Sequence, residues 1–192
     1  MNFENEEEIL SAIKRDPQKF GILFDHFYPR IFGYVYRRVN DFDDSKDIAA
    51  ETFLKAFLNI RKFKWTGISI SSWIYRIAVN EINLHYRKRL KFVDSLDRLI
   101  DDFSFEPGDE TNFLEDRERL EKESKKYSEF QFISRLLTML SPDYQAVISL
   151  RYFEKKSIKE ICEILGKKEG TVKSLISRGI GKLRSLYEIG NK

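Results

Sequence analysis

A single cysteine, Cys162, occurs in 192 residues. That excludes an internal disulfide and a cysteine-cluster zinc site, and it fits a reducing compartment. Glycine and proline are scarce, at nine and four. So few turn formers argue against a many-stranded β protein and for long helices. No segment approaches the roughly 18 uninterrupted apolar residues that a membrane span needs. The opening MNFENEEEIL is acidic where a secretory signal is basic, and no long apolar stretch follows it. These absences predict a soluble, cytoplasmic protein without membrane insertion. Neither His26 nor His85 belongs to a His/Asp/Glu set at metal-ligand spacing. No metal, cofactor or catalytic residue is therefore expected.

What is present is mostly hydrophobic or charged, at 42% and 34%. The chain is 42% hydrophobic and 14% aromatic, enough for a packed core. Its net charge of +3 is unevenly spread. Residues 1–90 carry 15 Lys/Arg against 12 Asp/Glu, residues 91–150 carry 8 against 14, and residues 151–192 carry 11 against 5. Two basic blocks thus flank an acidic middle. Basic blocks suit a polyanion, because each neutralised phosphate releases a counterion. A charge run is more often a solvated face, so charge alone does not decide.

Helical periodicity organises both ends. Phe20, Leu23, Phe24, Phe27 and Ile31 recur at three- and four-residue steps. So do Ile48, Thr52, Ala56 and Ile60, with Ala49, Phe53 and Phe57 beside them. Asp43 or Asp44 is placed to cap that second helix. After Thr66-Gly67-Ile68-Ser69 another helix is expected from Ser71 or Ser72, through Trp73, Ile74, Ile77 and Ala78. Residues 92–118 hold ten acidic positions opposed only by Arg98 and Arg117, together with Pro107-Gly108. This reads as an irregular linker that like charges hold extended. Periodicity returns at Phe130, Ile133, Leu136, Leu137 and Leu140, and Ser141-Pro142 is a helix start. The fold class expected is all-α: a domain over 1–91, an acidic linker over 92–128 and a second domain over 129–192.

SIKEICEILGKKEGTVKSLISRGIGKLR fits a helix-turn-helix. Cys162 supplies the small residue where two helices cross, and Gly166 the left-handed turn four residues later. Ile161, Leu165, Val172 and Leu175 supply apolar contacts between the helices. The second helix would present Thr171, Lys173, Ser174, Ser177 and Arg178 to a major groove, with Lys167 and Lys168 at its start for phosphates. Arg178 can pair bidentately with guanine. An ordinary helical hairpin with a basic face is the competing reading.

RKFKWTGISISSWIYRIAVNEINLHYRKRLK interleaves aromatics and cations: Phe63, Trp65, Trp73, Tyr75 and Tyr86 among Arg61, Lys62, Lys64, Arg76, Arg87, Lys88, Arg89 and Lys91. That combination suits single-stranded DNA, whose bases stack on rings while cations hold the backbone. A base taken out of its stack also needs a pocket, and the loop Lys64–Ser71 is placed to wall one. Aromatics at helical spacing are more often core, and Trp73 is read that way.

These stretches resemble a known family. DDSKDIAAETFLKAF is similar to the polymerase-binding helix of sigma region 2, FKWTGISISSWIYRIAVNEINLHYRKR to the adjoining promoter-melting and −10-reading part, and LLTMLSPDYQAVISLRYFEKKSIKEICEILGKKEGTVKSLISRGIGKLR to sigma region 4, which reads the −35 element. The order and spacing are those of extracytoplasmic-function (ECF) RNA polymerase sigma factors. The resemblance implies that Asp47, Glu51 and Lys55 dock on the clamp helices of the largest subunit of core RNA polymerase. It implies that Asn80 and Asn83 contact bases of the melted −10 element. Phe63, Lys64, Trp65, Arg76, Arg87, Lys88 and Arg89 would complete that contact with promoter DNA. It also implies that the acidic linker threads the cationic cleft of the polymerase, that an anti-sigma factor is a possible partner, and that the free chain is a monomer. The chain departs from the pattern at Ala50, where Gln is usual, and at Leu175, Gly179 and Ile180 in the recognition helix. Two other readings compete with it, a stand-alone DNA-binding regulator and an enzyme acting on nucleic acid. The aromatic-basic stretch speaks against the first, and the crowding of acidic residues into a linker against the second.

Overall fold

The computed structural model describes residues 6–63, 68–96 and 132–190, and every regular element among them is helical. The N-terminal module comprises α1 (Glu6–Arg15), a 3-10 turn (Pro17–Lys19), α2 (Phe20–Val39), α3 (Phe42–Asn59) and α4 (Ile70–Leu96). The C-terminal module comprises α5 (132–138), α6 (Pro142–Ile148) running into a π-helical turn (Ser149–Phe153), α7 (Ile158–Leu165) and α8 (Glu169–Gly190). The expected linker, 92–128, overlaps the last turn of α4. From residue 97 it lies outside the described residues, as do Lys64 and Trp65.

The apolar positions expected from periodicity form the core. Leu23, Phe27, Ile31 and Tyr34 of α2 meet Ile48, Ala49, Phe53 and Ala56 of α3 and Ile70, Ile74, Ala78 and Ile82 of α4. Phe24 and Phe57 belong to the same periodic runs but sit at the rim, 37% and 42% exposed. They cover the core edge-on, Phe24 against Phe53 and Phe57 against Phe20. The same buried cluster continues into the C-terminal module through Leu137, Leu140, Val147, Leu150, Ile161, Ile164 and Val172.

Caps fall near the expected places but not on them. The first turn of α3 is closed by Asp41, whose carboxylate accepts from the N–H of Asp44 at 2.8 Å, so the cap lies two residues before Asp43. Helix α4 begins at Ile70, one residue ahead of Ser71, because Ser69 accepts from the N–H of Ser72 at 3.0 Å. Ser141 does take the N-cap position before Pro142, but its side chain makes no capping bond. Ser157 and Glu160 form a reciprocal capping box at the start of α7.

The two modules are docked on a polar seam. Glu154 accepts from both Arg37 and the hydroxyl of Tyr75. Lys156 donates to Ser71 Oγ at 2.8 Å, and Arg76 to the carbonyl of Glu163 at 2.5 Å. Arg38, 1% exposed, lies over the Tyr34 ring and reaches the carbonyl of Pro142 at 3.3 Å. Apolar residues of both modules join one buried cluster, so hydrophobic burial also holds the joint, beside a seam built from a buried guanidinium and a shared carboxylate. The net worth of the seam rests on geometry, because desolvation offsets much of the attraction.

Candidate nucleic-acid and polymerase interfaces

Helix α4 builds the first surface. Its inward stripe, Ile70, Ile74, Ala78 and Ile82, fixes the rotation of the helix. That rotation leaves Arg76, Asn80, Asn83 and Arg87 exposed at steps of four, three and four residues, which places them in one line along the opposite side. Lys88 and Arg89 are exposed at the end of the line. At the other end, beside Arg76, a cleft of about 390 Å³ opens between the end of α3 and the start of α4. Phe63 and Trp73 form one wall, their rings 4.7 Å apart, and Asn59, Lys62, Ile68 and Ser72 complete the lining. Two tilted aromatic rings, an amide and the cations Lys62 and Arg76 around a cleft of ligand size can hold a planar base by its face and by its edge. Trp73, read from its spacing as core, is therefore half-buried and lines a cleft.

Tyr75 takes no part in this surface. It is 2% exposed, packs edge-on to Tyr34 and donates to Glu154. Burial and the neighbouring Glu154 carboxylate both push its phenol well above the usual range. Tyr86 is likewise tied inward, donating to the carbonyl of Arg38.

The second surface lies on α8. Gly166 ends α7 with φ 64° and ψ 29°, a left-handed conformation that a side chain resists. The turn sets α8 across α7, with Ile161 and Val172 fully buried between them and Leu165 and Leu175 half-buried beside them. Ile164, only 2% exposed, joins the buried cluster as well, beyond the apolar positions expected from the motif. Thr171, Lys173, Ser177 and Arg178 are exposed, as is Lys168, while Ser174 and Lys167 are half-buried. Arg178 donates to Ser174 Oγ at 2.6 Å, so one turn of helix holds its guanidinium ready-oriented. Lys173 pairs with Glu169 at 2.6 Å, which raises the pKa of the lysine and lowers that of the carboxylate. Lys167 lies 3.4 Å from Asp143. Burial, and behind it the nearby Glu169, raises the Cys162 thiol.

The third surface is the outer side of α3. Asp47 and Glu51 are exposed on it, with Leu54 and Leu58 following at 51% and 63% exposure. Ala50 adds an exposed methyl where the family pattern carries an amide. Lys55 lies at the edge of this side, its side chain 37% exposed. Its ammonium meets Glu81 of α4 at 2.6 Å and Glu51 at 3.3 Å, and the bond to Glu81 raises its pKa. No group of three or more His, Cys, Asp or Glu that could hold a metal occurs among the described residues. No helix among them is long and apolar enough to cross a membrane.

The comparisons with known proteins agree with this division. The family model for sigma-70 region 2 matches residues 23–92, and that for sigma-70 region 4 matches residues 133–183. The chain is 27% identical over 176 residues to the RNA polymerase sigma-H factor of Pseudomonas aeruginosa, covering 91% of this chain and 90% of that one. It is 26% identical over 168 residues to the ECF RNA polymerase sigma factor BldN of Streptomyces coelicolor; these are 87% of this chain but span only 60% of BldN. Among solved structures, the sigma factor RpoE of Bartonella quintana, in complex with the anti-sigma factor NepR, shares the fold at a TM-score of 0.68. That match has 22% identity and covers 90% of this chain and 98% of RpoE. With region 2 and region 4 following one another along it, the chain belongs to the ECF sigma factors of RNA polymerase, which direct promoter-specific initiation of transcription.

Proposed function

We propose that this chain docks on core RNA polymerase through Asp47 and Glu51, reads the −35 duplex with α8, and captures the unpaired −10 strand along α4. The observation that carries the reading is the exposed line Arg76, Asn80, Asn83 and Arg87, which runs into the Phe63–Trp73 cleft. In this assignment the cations hold phosphates, the two amides read base edges, and the cleft takes a base lifted from its stack. Opening needs no bond chemistry. The domain binds the melted state better than the duplex, and that difference in affinity shifts the equilibrium. The protein acts as a non-enzymatic initiation factor in the cytoplasm.

On α8, Thr171, Lys173, Ser174, Ser177 and Arg178 face the groove, with Lys167 and Lys168 on phosphates. Lys55 serves the docking face indirectly, by holding Glu51 while anchored on Glu81. The module bounds 1–91 and 129–192, and a strap between them that enters the polymerase cleft, belong to the same reading. An anti-sigma factor is a further partner in this reading; RpoE is found in complex with one, NepR. Arg76 donates to the Glu163 carbonyl across the seam, a bond that it exchanges for the phosphate when it takes up DNA.

Gel filtration with purified core polymerase tests the docking step. The chain is expected to co-elute with core, and the double variant Asp47→Ala, Glu51→Ala to lose most of that association. Wild-type protein that elutes apart from core would contradict the reading.

A further inference from the structure

Helix α1 precedes the segment that matches region 2, which begins at residue 23. Its apolar residues Ile9, Leu10 and Ile13 are buried and hold it on the module. Two of its polar groups do something more specific. Glu6 Oε2 accepts from the N–H of Ile70 at 2.9 Å, and Lys14 Nζ donates to the carbonyl of Phe63 at 2.7 Å. These bonds reach 64 and 49 residues along the chain. Their targets are the two ends of the connection between α3 and α4, and Phe63 lines the cleft.

The N–H of Ile70 is the first of the donors that a helix start leaves without a partner. Ser69 satisfies the N–H of Ser72, and Glu6 satisfies that of Ile70, with its charge at the positive end of the α4 dipole. At the other end, the carbonyl of Phe63 lies beyond the last turn of α3. Lys14 fixes it, and with it the backbone that carries the Phe63 ring against Trp73. Polar contacts of this kind add little net stability, because they replace bonds to water. Their larger effect is on geometry, since a recognition site loosened by about 1 Å loses its selectivity.

We propose that Glu6 and Lys14 are positioning residues for the base-reading cleft: α1 pins both ends of the α3–α4 connection and so sets the width of the cleft. The inference rests on the reading of that cleft as the seat of an unpaired base.

The test uses the full chain bound to core polymerase and a pool of random single-stranded DNA 10-mers, sequenced before and after selection. Wild type is expected to enrich particular bases. Glu6→Ala with Lys14→Ala is expected to flatten that preference by about tenfold, the order of one lost base contact, with core binding unchanged. Glu6→Gln with Lys14→Arg, which keeps the acceptor and the donor, is expected to restore it. Lys14→Met keeps the apolar stem and removes only the donor, so a folding failure of the alanine pair leaves a second route to the answer. Undiminished base preference in Lys14→Met and in the folded alanine pair would overturn the proposal, while a loss in Trp73→Ala alone would leave the cleft reading standing. Wild type without base preference, matched by Trp73→Ala, would overturn both.

Discussion

Gly179 shows how one residue of the recognition helix answers to packing and not to DNA. A Cβ built there would lie 3.0 Å from Cδ1 of Ile148 and 3.3 Å from the Tyr144 ring, so the glycine is what lets α8 approach α6. Gly181, two residues on, has nothing within 4 Å. The two substitutions therefore have opposite signs. Gly179→Val is expected to destabilise the protein by about 2 kcal/mol through overpacking. Gly181→Ala is expected to stabilise it by up to about 1 kcal/mol through helix propensity. Thermal melts of the two variants decide it. From sequence, Gly179 registers only as a departure from the family pattern, because its cost lies in α8 and its reason in α6. Tyr75 was similarly illegible. Its spacing allowed either core or base stacking, and the choice is made by Glu154, 79 residues away in the other module.

At the scale of the element, α7 depends on its capping box. Burial opposes ionisation of Glu160, but the backbone and hydroxyl of Ser157 and the ammonium of Lys156 outweigh it and hold the carboxyl below its usual range. A carboxyl with a depressed folded pKa contributes stability above its unfolded pKa, and that contribution is lost as pH falls through the folded one. Glu160→Ala is thus expected to cost about 1 kcal/mol at pH 7. The difference from wild type should shrink below about pH 4, as read by denaturant titration across pH. On α8, Arg178→Ala is expected to weaken −35 duplex binding by about 1–3 kcal/mol and relax preference at one base pair. A filter-binding titration against single-base variants of a bound duplex measures this. Periodicity served well for elements, since Leu23, Ile31, Ile48, Ile74 and Ile161 all went to cores. It served less well for their ends. Asp41 and Ser69 cap helices expected to begin two or more residues and one or two residues later, because several neighbouring residues were able to cap and backbone geometry selects among them. The role of α1 was not legible at all: Glu6 and Lys14 resemble any solvated helix charges until the fold brings Ile70 and Phe63 beside them.

At the scale of the whole molecule, the two modules sit together across a seam of polar contacts, where Arg76 donates to the carbonyl of Glu163. Glu154 is its centre, since both Arg37 and Tyr75 depend on it. Glu154→Ala is expected to leave each module folded but to widen the particle in small-angle X-ray scattering, as two bodies that no longer share a carboxylate. An unchanged radius of gyration would show that the remaining contacts hold the modules without it. The account as a whole comes down to whether this chain gives polymerase a choice of promoter. Run-off transcription with purified core polymerase on a promoter library measures that directly. The account predicts transcripts from a small subset of templates, only when the chain is added, with Asn80→Ala reducing opening more than duplex binding. Templates transcribed equally with and without the chain would contradict it.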